Sequence, residues 1–179
     1  MVSGRCEMSR EPDMIEALNR MSAAGFAATL AAVYEHSPWV AEQAAQCRPF
    51  ATIAVLAGTM QKLVRDADPE RRLQLLRAHP ELGQGGHLTD HSSSEQSFAG
   101  FDQLTPESAE QLAFLNRRYR ERFGFPFIIA VRGQKDAPAI IERLEQRLGN
   151  DPPTEMTIAL EEIGRIAWFR LQQLREPAR

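Results

Sequence analysis

Cysteine is scarce in this chain of 179 residues, which has only Cys6 and Cys47. One lies near a polar terminus and the other inside a helical pattern. They supply neither a disulfide framework nor a paired metal-binding motif, and a reducing compartment fits best. Long hydrophobic runs are missing as well: no window approaches the ~18–20 apolar residues of a bilayer-spanning helix. Residues 1–7 carry no apolar block of the secretory type, and Pro177-Ala178-Arg179 is not a Ser-Lys-Leu-type peroxisomal address. A cytoplasmic location is therefore expected. Nor is there an excess of one charge. The 21 basic and 24 acidic residues leave a net charge of −3, and the basic ones are scattered rather than gathered into a stripe that could neutralise a row of phosphates. This excludes nucleic acid and anionic membrane as expected partners. Gly-x-Ser-x-Gly, the mark of a large class of serine hydrolases, does not occur, and neither do internal repeats or low-complexity tracts.

What is present is a helical period. With 43% hydrophobic residues, the chain suits one domain with a real core and is too short for two comfortable ones. Residues 1–12 are polar and aperiodic and read as a disordered leader; residues 13–179 read as a single all-α domain, a multi-helix bundle. Apolar residues recur at three- and four-residue spacing. Phe26, Leu30, Val33 and Tyr34 form one stripe, and Ile53, Leu56, Met60, Leu63 and Val64 another. Leu112, Leu115, Tyr119 and Phe123 follow a helix to Gly124, and Ile141, Leu144 and Leu148 lie on one that Gly149-Asn150 should stop. Ser37-Pro38, Asp68-Pro69 and Thr105-Pro106 each put a capping oxygen before a proline suited to the first helical position. A long last helix should carry Met156, Ala159, Ile163, Ala167 and Leu174 inward and run to about Arg175. Only Phe127-Ile128-Ile129-Ala130-Val131 has strand character. One strand cannot make a sheet, so this run is expected to be a buried extended segment within the helical domain.

Two non-periodic stretches, from His79 to about Gly100 and around 124–138, have the length of functional loops. His79 precedes Pro80, which disfavours helical geometry at the residue before it. The helix from residue 69 should end there and aim the imidazole, favoured by the helix dipole, into the loop. A plain helix cap accounts for that position equally well. His87, His91 and Glu95 would share one helix face as zinc or iron ligands, but the residues between Leu88 and Ser94 are poor helix formers. Ser92, Ser93 and Ser94 ahead of Glu95 and Gln96 read as a helix start with a capping box. Free N–H groups at such a start also suit an anionic or amide-rich small molecule. Arg170 falls on the inward stripe of Ile163, Ala167 and Leu174. Burying an unpaired guanidinium is costly, so it needs a carboxylate partner or an anionic ligand. The octet from Glu35 to Glu42 and the run Arg48-Pro49-Phe50 read as tightly packed helix junctions.

Taken in order, Glu35-His36-Ser37-Pro38-Trp39-Val40-Ala41-Glu42, Arg48-Pro49-Phe50, His79-Pro80-Glu81-Leu82-Gly83, Ser94-Glu95-Gln96, Leu115-Asn116, Phe123-Gly124-Phe125-Pro126-Phe127 and Arg147-Leu148 resemble one family. It is the 2-oxo-4-hydroxy-4-carboxy-5-ureidoimidazoline (OHCU) decarboxylase family, and the likeness runs from about residue 20 to 174. Each motif alone is weak; their order carries the resemblance. It implies an all-helical, homodimeric protein that completes the conversion of urate to (S)-allantoin without metal or organic cofactor. It further implies that His79 is the catalytic acid/base and that Glu95 and Arg170 complete the catalytic set. Pro80, Ser92, Ser93, Ser94, Gln96, Phe127, Ile128, Ile129, Ala130 and Val131 would contact the substrate, largely through backbone groups. The loop between His79 and Glu95 is a few residues shorter than usual in the family, which loosens the register of Ser92 to Ser94. Phe101 stands where leucine is more usual.

The substrate so implied bears its carboxylate on a carbon that also carries a hydroxyl and adjoins an imine carbon. Electrons left behind by CO₂ can spread into the C=N unit, so the molecule supplies much of its own electron sink. An imidazole titrating near neutrality would exchange protons and deliver one to a single face of the ring. Glu95 would accept from the hydroxyl or ureido N–H groups, and Arg170 would hold an anionic or carbonyl oxygen. Two other classes stay open on the residues alone: a metal-dependent hydrolase using His87, His91 and Glu95, and a non-catalytic helical partner-binding subunit of a urate-degrading assembly.

Overall fold

The computed structural model describes residues 10–83 and 100–174. Eight α-helices lie among them: α1 (Arg10–Arg20), α2 (Ala23–Leu30), α3 (Pro38–Ala45), α4 (Ile53–Asp66), α5 (Pro69–Arg77), α6 (Pro106–Phe123), α7 (Ala137–Arg147) and α8 (Pro152–Gln173). A short 3₁₀ turn, Phe101–Gln103, leads into α6. Helix α1 takes in residues 10–12, which their lack of periodicity had put in the leader. The described residues contain no strand, in keeping with an all-α domain. The apolar run 127–131 is neither helix nor strand, and every residue from 125 to 131 is buried.

The proline-based starts fall where the sequence puts them. Asp68 accepts from Arg71 N–H ahead of Pro69, and Thr105 accepts from Ser108 N–H ahead of Pro106, each occupying an amide that the helix itself leaves free. Ser37 departs from this pattern. Pro38 still opens α3, but the Ser37 side chain makes no capping bond, because the chain enters from a corner where His36 takes the left-handed conformation (φ 52°). Gly124 caps α6 as expected, with φ 78°. Gly149 does not act this way: α7 ends at Arg147 with Leu148 in right-handed geometry, and the chain leaves through tight turns from Gln146 and Arg147.

Helix α2 packs on α3, α3 on α4, α4 on α8, and α6 on both α7 and α8. The core they share includes Phe26, Leu30, Ile53, Leu56, Met60, Leu75, Leu76, Ile140 and Leu144, all essentially inaccessible. Burying each such side chain contributes about 1.5–3 kcal/mol. Its aromatic centre is Tyr119, whose ring lies 4.6 Å from Phe123, 5.9 Å from Phe125 and 5.3 Å from Phe127. Segment 125–131 thus enters the core through its rings. The inward stripe of α8 holds at Ala159, Ile163, Ala167 and Arg170, but its last member is Leu171; Leu174, expected inside, is 42% exposed at the helix cap.

Candidate active site

His79 lies two residues beyond the end of α5 and is 7% exposed. Its Nδ1 sits 2.9 Å from the Leu75 carbonyl. A carbonyl only accepts, so Nδ1 carries the hydrogen and Nε2 of the neutral ring keeps its lone pair. Burial pushes the imidazole pKa down to about 4. The Leu75 carbonyl and Glu35 pull it back up, while Arg170 and His36 push it further down. The expected titration near neutrality is therefore corrected: at pH 7 the resting ring is a neutral base, because the price of charging it without water outweighs its hydrogen bond.

The turn after His79 is held from α6. Asn116 Nδ2 donates to the Leu82 carbonyl at 2.9 Å, and Arg120 pairs with the buried Glu81. Gly83 has φ 75°, a backbone conformation that favours glycine, and a Cβ there would meet Leu112 Cδ2 at 2.4 Å, so that side chain would have to shift.

Arg170 is 3% exposed, and its counter-ion is Glu35, the first residue of the octet read as a packed corner. Arg170 Nη2 donates to Glu35 Oε2 at 3.1 Å and Nη1 to the Ala32 carbonyl at 3.3 Å. Of the two partners that its inward position calls for, a carboxylate or an anionic ligand, the described residues supply the carboxylate. Glu35 is the site residue that the sequence reading missed. Its signal was the demand for a carboxylate that inward-facing Arg170 creates.

Glu35, His79 and Arg170 converge on one open-mouthed cavity. Pro80, Leu82, Phe127, Ile128, Ile129, Val131 and Ile166 form the rest of its described lining. Four distant segments thus meet there: the corner between α2 and α3, the turn after α5, segment 127–131 and α8. Ala130 does not line this cavity. Its N–H donates to Glu162 Oε2 at 2.8 Å, and its carbonyl accepts from Gln134 at 3.4 Å. Ser92, Ser93, Ser94, Glu95 and Gln96 lie outside the described residues, as do the alternative metal ligands His87 and His91. Among the described residues no three His, Cys, Asp or Glu side chains cluster as a metal site, and no helix is long and apolar enough to cross a membrane.

Segment 127–131 is anchored on its far side by a buried network. Arg147 Nη1 donates to the Ile128 carbonyl at 2.8 Å, and its Nε and Nη2 donate to Glu155 Oε1 at 2.8 and 2.5 Å. Tyr119 donates to the same oxygen, and Asn150 Nδ2 reaches Glu155 Oε2 at 2.7 Å. The Arg147 guanidinium also lies 4.6 Å from the centre of the Phe127 ring. Burial, with Glu155 beside it, pushes the Tyr119 hydroxyl up, so it remains a donor.

The family model described as OHCU decarboxylase matches residues 19–172. A 2-oxo-4-hydroxy-4-carboxy-5-ureidoimidazoline decarboxylase of Haloferax volcanii is 42% identical over 159 residues, covering 89% of this chain and 94% of that protein. Among solved structures, an (S)-allantoin synthase is 32% identical with a TM-score of 0.73, over 89% of this chain and 53% of the other. An OHCU decarboxylase crystallised in the presence of (S)-allantoin is 27% identical with a TM-score of 0.66, over 79% of this chain and 94% of the other. With the match spanning nearly every helix that builds the cavity, the chain belongs to the OHCU decarboxylase family.

Proposed function

We propose that this chain is a carboxy-lyase that converts OHCU to (S)-allantoin and CO₂ in urate breakdown, without a cofactor, and that His79 is its proton carrier. The observation that carries the assignment of His79 is a neutral imidazole with a fixed tautomer, opening on a cavity it shares with the Glu35–Arg170 pair. Nε2 of the resting ring accepts the hydroxyl proton of the substrate. The carbon–carbon bond to the carboxylate breaks, CO₂ leaves, and the electron pair moves into the adjacent C=N unit. The imidazolium then returns its proton to the ring carbon on one face, and one further proton from solvent ends on the former imine nitrogen, so charge and atoms balance.

The Glu35–Arg170 pair supplies the field in which this transfer occurs. Arg170 offers donors to a substrate oxygen while Glu35 offsets its charge, which limits how tightly the departing carboxylate is held in the ground state. Glu95 is assigned the acceptor for the hydroxyl or ureido N–H groups, and Pro80, Ser92 to Gln96, Phe127, Ile128, Ile129 and Val131 the substrate contacts, on the family resemblance. The same reading extends to a homodimer in the cytoplasm, for which light scattering should return twice the chain mass.

The test is circular dichroism of (S)-allantoin formed from freshly generated substrate. His79→Ala should lower the enzymatic rate by about 10²–10⁴-fold, toward the spontaneous background, with helical content and melting temperature retained. Near-normal turnover would remove His79 from the mechanism. Chelator-treated protein should keep full activity; loss restored by zinc or iron would instead favour the hydrolase chemistry of His87, His91 and Glu95.

A further inference from the structure

Arg147 and Glu162 grip two consecutive peptide units of segment 127–131, one from α7 and one from α8. Arg147 donates to the Ile128 carbonyl, and the Ala130 N–H donates to Glu162 Oε2, both at 2.8 Å. These peptides are trans, and a planar trans peptide aims its C=O and N–H in opposite directions. The Ile128 carbonyl shares its peptide with the Ile129 N–H, and the Ala130 N–H shares its peptide with the Ile129 carbonyl. With one end of each unit held by the scaffold, the Ile129 N–H and C=O are turned away from Arg147 and Glu162. Neither makes a hydrogen bond among the described residues, and Ile129, which also borders a pocket on the Arg147–Glu162 side, lines the cavity that holds His79 and Arg170.

We propose that Glu162 is a positioning residue of the decarboxylation: together with Arg147 it presents the donor–acceptor pair of Ile129 to an amide-type edge of the substrate, such as its ureido or cyclic urea group. The carboxylate is built for this. Glu162 is 7% exposed, and its outer oxygen takes Arg165 at 2.9 Å. The Arg165 side chain is 63% exposed, so the charge is offset on the solvent side and the inner oxygen is left for Ala130. Glu162 and Ile166, four residues apart, share one face of α8, and Ile166 lines the cavity itself.

The inference rests on the reading of segment 127–131 as a substrate contact, and the experiment separates the two. In the whole protein, Glu162→Ala should raise KM for OHCU about 3- to 10-fold, the worth of one hydrogen bond, with a smaller change in kcat. Glu162→Gln, which keeps an acceptor oxygen for Ala130, should restore KM. Arg165→Ala, which removes only the outer pair, should leave KM and kcat at their normal values. If Glu162→Ala does not fold, Glu162→Asp withdraws the oxygen while keeping the charge and should raise KM likewise. The amide resonance of Ile129 is followed alongside while (S)-allantoin is added to the unmodified protein. An unmoved resonance overturns the substrate-contact reading. A resonance that moves, with KM unchanged in Glu162→Ala even if the melting temperature falls, overturns the positioning role alone.

Discussion

Two buried arginine–carboxylate pairs adjoin segment 127–131, and they differ in what closes around them. Arg147–Glu155 is saturated by protein groups: Tyr119, Asn150 and the Ile128 carbonyl share its hydrogen bonds, the Phe127 ring covers the guanidinium, and Glu155 is 0% exposed, although Arg147 and Asn150 border a separate pocket away from His79. Arg170–Glu35 is as deeply buried but lines the cavity beside His79. The chemistry of the pairs is the same; they part in what they border, since only Arg170–Glu35 lines the cavity that holds His79. A pair saturated by protein groups holds segment 127–131 in place, whereas a pair at the wall of the His79 cavity sets the charge there.

Breaking each pair in the same way should therefore produce opposite signatures. Arg147→Met leaves Glu155 buried without its cation, which costs on the order of 3–5 kcal/mol, and urea unfolding should show the loss. In Arg170→Met the stranded Glu35 borders the cavity and can recruit water, so stability should fall by only about 1–3 kcal/mol. Its rate of (S)-allantoin formation should nevertheless drop by about 10²-fold or more, as expected when a charged group facing the reaction is lost. Equal stability losses with equal residual activities would dissolve the distinction between the two pairs.

His79 gives a smaller effect, set by pH. In the unfolded chain its ring takes up a proton near pH 6.5, but in the folded protein only near about 4. Between those values the unfolded state binds more protons, so stability is full above pH 6.5 and falls on acidification, by up to ~3 kcal/mol at the lower end. Urea midpoints at pH 7 and pH 4.5 should differ more for the unmodified protein than for His79→Ala. The acid limb of kcat/KM should also lie well below 6.5. If the two proteins lost stability in parallel, burial would not be holding the ring neutral.

How much of this could be read in advance follows from the reach of each interaction. Asp68 and Thr105 cap helices three residues away, and such contacts are written in the local order of residue types. The inward turn of Arg170 was likewise legible from its spacing to Ile163 and Ala167, but its partner was not, since Glu35 lies 135 residues away. The exposed end of α8 at Leu174 escaped for the same reason: periodicity tells which face turns inward but not where the core stops. Family resemblance singled out His79, yet its depressed pKa depends on how tightly the surrounding segments exclude water, which no local pattern encodes. Glu162, the middle term between α8 and the Ala130 amide, combines both limits, being charged in sequence and buried in structure.

The smallest expected effect tests whether scaffold and site separate within a single helix. Helix α5 is capped at its start by Asp68, which accepts from Arg71 N–H at 2.9 Å, and delivers His79 just past its end. Asp68→Ala removes that cap and should cost about 1 kcal/mol of stability. At the other end, His79 is tied to Leu75 in the last turn, and the following residues are tied to α6 through Asn116 and Arg120. Fraying at Asp68 therefore has no route to the imidazole as long as the chain is folded, and kcat/KM of Asp68→Ala should match that of the unmodified protein. A fall in kcat/KM larger than the unfolded fraction explains would mean that the whole of α5, and not its last turn, sets the position of His79.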